Sequence, residues 1–119
     1  DEIKVEELFY DEPSYTGFKF PVSKYYPAWL QADDHPMTQA GQNTIKTLWG
    51  EERELDTWDF STNGTYWAGK AGIPSIGFGP GDEKFAHRGM EQVPLKEVVD
   101  ATEFYALFPN MLLEKMQEG

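Results

Sequence analysis

"ELDTWDFSTNGTYWAGKAGIPSIGFG", residues 54–79, decides how this chain is expected to fold. Apolar side chains gather at both ends of the stretch: Leu55, Trp58 and Phe60, then Ile73, Ile76 and Phe78. Ser61 and Thr62 suit a helix start between them, and Gly72 suits a stop. The pattern predicts strands over 54–60 and 73–78, neighbours in one sheet, joined by a short crossover helix over 62–71.

The flanking segments read in the same spirit. "DDHPMTQAGQNTIKTLWG", residues 33–50, has Asp33 or Asp34 to cap a helix and Pro36 for its first turn. Met37, Ala40, Ile45 and Leu48 recur near helical spacing, and Gly50 suits the end. "VPLKEVVDATEFYALF", residues 93–108, predicts an amphipathic helix with Leu95, Val98, Val99, Thr102, Tyr105 and Ala106 on one face. Pro109 should kink or end it, with a second helical piece after. "IKVEELFY", residues 3–10, alternates as a strand covered on one face. Residues 11–33 form an aromatic-rich connection, extended near Ala28–Gln31 and too aromatic for a flexible linker. Helices alternating with strands imply crossover connections and an α/β fold.

Composition narrows the function. The 119 residues suffice for one small domain, and 8 Phe, 6 Tyr and 4 Trp can supply a core. A net charge of −11 and a pI near 4.4 exclude the basic stripe that nucleic acid requires and disfavour an anionic membrane surface. No apolar run approaches the ~20 residues of a membrane span. With no cysteine there is neither a disulfide framework nor a thiolate metal site. No signal peptide is visible, so a cytoplasmic setting is expected.

Several motifs carry less than they suggest. "GTYWAGKA", residues 64–71, nearly matches a phosphate loop. However, Ala71 replaces the hydroxyl that would hold magnesium, and Tyr66 and Trp67 crowd the loop. "GFGPG", residues 77–81, has Asp82 where a dinucleotide turn needs its third glycine, and an acid there repels pyrophosphate. Asn63-Gly64-Thr65 matches the glycosylation pattern by accident. His35, in "DDHP", is explained by a helix start. His87 differs: it follows a strand pattern that ends in glycines, where α/β proteins gather functional groups. Neutral imidazole is a common zinc ligand, and Glu91 stands four residues on, placed to orient it. On spacing alone, a packing role and a ligand role for His87 stand equal.

A longer pattern shifts that balance. Ser61-Thr62-Asn63-Gly64, then Gly72-Ile73-Pro74-Ser75-Ile76-Gly77-Phe78-Gly79-Pro80-Gly81, then Ala86-His87 with Glu91, precede a long helix. In this order they resemble the carboxyl-terminal part of the zinc-dependent aminoacylase, acetylornithine deacetylase and succinyl-diaminopimelate desuccinylase family. "SYTG", "YPAW" and "DHP" upstream are similar to its branch of deacetylases and peptidases linked to selenium metabolism. The match is strong over the last half of the chain and weaker over most of the rest. Met90 departs from it, standing where the family usually has Asn.

The resemblance implies hydrolysis of amide bonds in N-acyl amino acids or short peptides. One or two zinc ions would serve, with cobalt or manganese as alternatives. Such an ion lowers the pKa of bound water and polarises the carbonyl, while a glutamate accepts the proton. His87 would be a terminal metal ligand and Glu91 its supporting carboxylate. Ser61, Thr62, Asn63 and Gly64 would lie beside the substrate, and the turn bearing Gly79 and Gly81 would border the pocket. The remaining ligands and the glutamate base belong to family motifs upstream of this region. The chain is therefore expected to hold no catalytic base and to be inactive alone, as the carboxyl-terminal fragment of a longer hydrolase.

Its implied architecture is a partial α/β/α sandwich of the dinuclear-zinc exopeptidase type. Residues 1–10 would be the last strand of an inserted lid domain that mediates dimerisation, 11–33 a connection, and 34–119 catalytic domain. Expected partners are an N-acyl amino acid or peptide substrate, and either a second copy or the rest of the enzyme. The rival reading is a standalone acidic binding or assembly domain without catalysis.

Overall fold

A computed structural model describes residues 3–117 of the chain. Its order is β1 (Phe9–Tyr10), β2 (Val22–Ser23), α1 (Pro36–Trp49), α2 (Gly64–Trp67), a single 3-10 turn (Glu83–Phe85) and α3 (Leu95–Gln117). This overturns the α/β expectation. Regular structure among the described residues is mostly helical, with one two-stranded antiparallel sheet and no α/β/α sandwich.

The reason lies in segments 54–60 and 73–78. Neither is a strand, and they form no ladder with each other. A strand is defined by backbone pairing, and an apolar run alone does not supply a partner. The two segments do meet, but through a ring: Trp58 lies so close over Gly77 that any side chain at 77 would collide with it. The helix between them shrinks to one turn, α2. Gly72 then turns the chain at φ 66, with the Ile73 N–H donating to the Trp67 carbonyl.

Helix α1 follows its sequence closely. Pro36 opens it and Gly50 closes it in the left-handed conformation at φ 68, donating to the Lys46 carbonyl. Its cap is His35 rather than Asp33 or Asp34: the imidazole Nδ1 accepts from the Met37 N–H at 3.1 Å. Thr38, Ala40, Gly41, Thr44 and Ile45 are buried.

Helix α3 departs in two ways. It runs unbroken through Pro109. Proline costs a helix the bond to the carbonyl four residues back, here that of Tyr105. Both residues are exposed, so that carbonyl can be served by water. The buried stripe also differs from the expected one. Ala101 and Phe104 are buried and Phe108 and Met111 half-buried, whereas Leu95, Val98, Val99, Thr102, Tyr105 and Ala106 are exposed.

The core is correspondingly small. Ala40, Ile45, Ala101 and Phe104 are its buried apolar residues, where α1 packs on α3. Phe78 stacks between Phe104 and Trp49, and the Ile76 side chain covers Gly41. The radius of gyration is 18.6 Å, against roughly 13–14 Å for a compact domain of this length.

The amino-terminal third leaves its apolar side chains in solvent: Ile3 is 92% exposed and Val5 91%. The expected 1–10 strand is reduced to β1, where Phe9 pairs with Ser23 and Tyr10 with Val22; Asp1 and Glu2 lie outside the described residues. Ala28–Gln31 carries no strand. Among the described residues, no helix is long and apolar enough to cross a membrane.

Candidate functional site

Residues 78–91 are held largely by α3. Below Phe78, the Tyr105 hydroxyl donates to its carbonyl while its ring lies on Phe104. Three residues on, the Gly81 N–H donates to Glu97 Oε2 at 2.8 Å. Glu97, Ala101 and Tyr105 stand one helical turn apart, so one stripe of α3 buries Ala101 and grips segment 78–81 at its two ends. Asp82 then caps the 3-10 turn, its Oδ1 accepting from the Lys84 N–H at 3.0 Å. The side-chain hydrogen bond from Lys84 holds the Asp82 carboxyl below its ordinary range.

His87 follows this turn on exposed chain, at φ 56. It is the one non-glycine residue with a positive φ among the described residues. Histidine enters the left-handed region several-fold more readily than most side chains, though still at a cost. A further turn returns the chain, with the Glu91 N–H donating to the Arg88 carbonyl at 3.0 Å. Among the described residues, no hydrogen bond or ion pair joins Glu91 to His87. The expected orienting contact is therefore not formed in this chain.

Two recesses lie nearby. One of about 620 Å³ is lined by Gly79, Gly81, Asp82, Ala86, Glu91 and, from the segment before α2, Trp58 and Phe60. His87 does not line it, although its neighbour Ala86 does. The other, about 830 Å³, is lined by Ser61, Thr62, Gly79 and residues of α1. Gly79 borders both, and Trp58 and Phe60 form part of the wall of each. Asn63 and Gly64 line neither.

Ser61–Gly64 is held by its own contacts. Thr62 Oγ1 accepts from the Gly64 N–H at 3.1 Å, and the Trp29 indole lies against Gly64. Ser61 and Thr62 thus line one recess and Gly81 and Glu91 the other, with Gly79 common to both, and His87 lines neither. Glu97, Tyr105, Trp29 and Trp58 are supports that motif reading missed. The i, i+4 spacing of Glu97, Ala101 and Tyr105 was the available signal.

The chain is similar to a protein of Escherichia coli. In strain K12 and in O157:H7 this is the uncharacterized protein YgeY, 41% identical over 100 residues in each case. The aligned region covers 84% of this chain and 25% of either relative. The chain thus spans about a quarter of the length of the curated relatives it matches. No family model matches the chain, and no solved structure matches it.

A catalytic zinc ordinarily takes three protein ligands. Among the described residues, no group of three or more His, Asp and Glu side chains is placed to hold a metal ion. Among the described residues these donors do not make up a complete centre.

Proposed function

We propose that this chain is one part of a metal-dependent hydrolase of N-acyl amino acids or short peptides. In this reading it supplies one imidazole ligand, His87, and the substrate-facing turns at Ser61–Gly64 and Gly79–Gly81. The reading rests on the ordered set of motifs that resembles the aminoacylase and deacetylase family. One structural observation supports it beyond the motifs. The histidine those motifs single out is held in an uncommon left-handed backbone conformation, on an exposed turn beside a recess. Backbone conformations of this kind cluster at functional sites.

The other metal ligands and the base would come from the remainder of a longer protein, as would the cover for the exposed apolar residues. The relatives' greater length is compatible with this. A cytoplasmic setting belongs to the same proposal.

The experiment is metal analysis and an amidase assay on a full-length protein containing this segment, using N-acetyl amino acids. Zinc-dependent turnover that His87→Ala removes, together with loss of bound zinc, is expected. Full zinc occupancy and unchanged turnover in His87→Ala would end the reading. A full-length protein without metal or hydrolytic activity would favour the acidic assembly domain instead.

A further inference from the structure

We infer that Asn63 is a site of spontaneous deamidation, and that the single turn α2 is the gate that sets its rate. The chain has three asparagines, and Asn63 alone is followed by glycine; Thr44 follows Asn43 and Met111 follows Asn110. In this reaction the Gly64 main-chain nitrogen attacks the side-chain amide carbon of Asn63. The bond from that carbon to Nδ2 breaks, and Nδ2 leaves as ammonia with the hydrogen of the Gly64 N–H. Water then opens the five-membered imide at either carbonyl. The product is aspartate or, where the chain is rerouted through the side chain, isoaspartate. Water is the one co-reactant. Glycine has no β-carbon to obstruct the attack, whereas Thr44 and Met111 do. The Asn63 side chain is exposed, and it makes no cap hydrogen bond to α2.

The folded geometry opposes the attack. Asn63 has helical backbone, φ −59 and ψ −15, and the imide ring forces ψ far from that value. The Gly64 N–H is committed to Thr62 Oγ1 at 3.1 Å, and the Trp29 indole lies against Gly64. Ring closure therefore requires α2 to open. Opening is cheap, because α2 is four residues long and buries none of them. Segments with few buried contacts open locally, at far less cost than the whole chain. Asn43 and Asn110 lie inside the longer helices α1 and α3 and are spared. The product adds a negative charge beside Thr62, on the wall of the larger recess. Isoaspartate also lengthens the main chain by one carbon, so the Ser61–Gly64 turn cannot keep its form. None of this depends on the hydrolase reading.

The test is peptide mapping by mass spectrometry of the 119-residue chain, held for weeks in mildly alkaline buffer with and without concentrated urea. In buffer, Asn63 should convert slowly to a mixture of aspartate and isoaspartate while Asn43 and Asn110 stay intact. In urea, where no turn guards Gly64, conversion at Asn63 should be about tenfold faster. Thr62→Val removes the acceptor of the Gly64 N–H and should speed conversion in buffer about fivefold, the weight of one hydrogen bond. Its helical circular dichroism should match the parent's, which separates a loosened α2 from general unfolding. An Asn63 that stays intact in buffer overturns the inference. Equal rates in buffer and urea overturn it too, as does a Thr62→Val chain that keeps its helices and deamidates no faster than the parent.

Discussion

Phe78 stacks on Phe104 with ring centroids 3.9 Å apart and planes within 16°. This contact fastens the loop segment 75–81 to the helical core, because Phe104 is itself 2% exposed at the α1–α3 interface. Truncating a buried Phe to Ala typically costs about 3–5 kcal/mol. With so few buried apolar residues, we expect Phe104→Ala to abolish cooperative unfolding, measured by circular dichroism against temperature. A variant that retains a sharp transition would place the stabilising contacts elsewhere.

Glycine substitutions separate packing from conformation. A methyl group at Gly64 would collide with the Trp29 indole, while one at Gly79 would meet nothing within 4 Å. Gly64→Ala should therefore displace Trp29 and shift the tryptophan emission, and Gly79→Ala should leave it unchanged. Equal spectra for the two variants would contradict the close approach of Trp29.

The Lys46–Glu52 ion pair, at 2.7 Å, closes the chain after α1. Its hydrogen bond to Lys46 holds the Glu52 carboxyl below its ordinary value of 4.5, and the same bond raises Lys46 above 10.5. The Glu52 contribution is present above pH 4.5 and is lost as pH falls through its lowered folded value. The Lys46 contribution is present below 10.5 and is lost as pH rises through its raised folded value. Both groups are exposed, so the effect is small and screened by salt. Glu52→Gln should lower the melting temperature slightly at neutral pH in low salt and not at all in 1 M salt. A salt-independent difference would assign Glu52 another role.

What the sequence conveyed follows from which signals are local. The bounds of α1 were legible because Pro36, Gly50 and the spacing of Ala40 and Ile45 act within one element. Its cap was misread because carboxylates and imidazole can both accept from a helix N–H, and only geometry selects His35. The stripe of α3 was misread because the helix carries apolar residues on more than one side. Ala101 and Phe104 are buried and Phe108 half-buried, whereas Val98, Val99 and Tyr105 remain exposed. Strands at 54–60 and 73–78 failed for a different reason: pairing depends on a neighbour that neither segment encodes. Gly79, Gly81 and Glu91 line one recess, whereas Glu91 was expected only to orient His87. The Glu97 and Tyr105 anchors were not anticipated, because they lie well along the chain from the segment they hold.

His87 allows backbone and side-chain roles to be separated. At φ 56 a β-carbon is strained by roughly 1–2 kcal/mol, a cost that glycine does not bear. Glycine in turn adds freedom to the unfolded chain, worth about 0.4–1 kcal/mol. The two effects oppose each other, so His87→Gly should leave stability within about 1 kcal/mol of the parent. His87→Val keeps the β-carbon and branches it, which fits the left-handed region worse, and should be less stable than His87→Gly by about 1–2 kcal/mol. Neither side chain can ligate a metal. In a full-length protein, both variants should therefore lose zinc and turnover to the same extent while differing in urea midpoint. If His87 served only to shape the turn, His87→Gly would keep its zinc and only His87→Val would suffer. Zinc content of the two variants, set beside their urea midpoints, decides between a ligand and a turn residue.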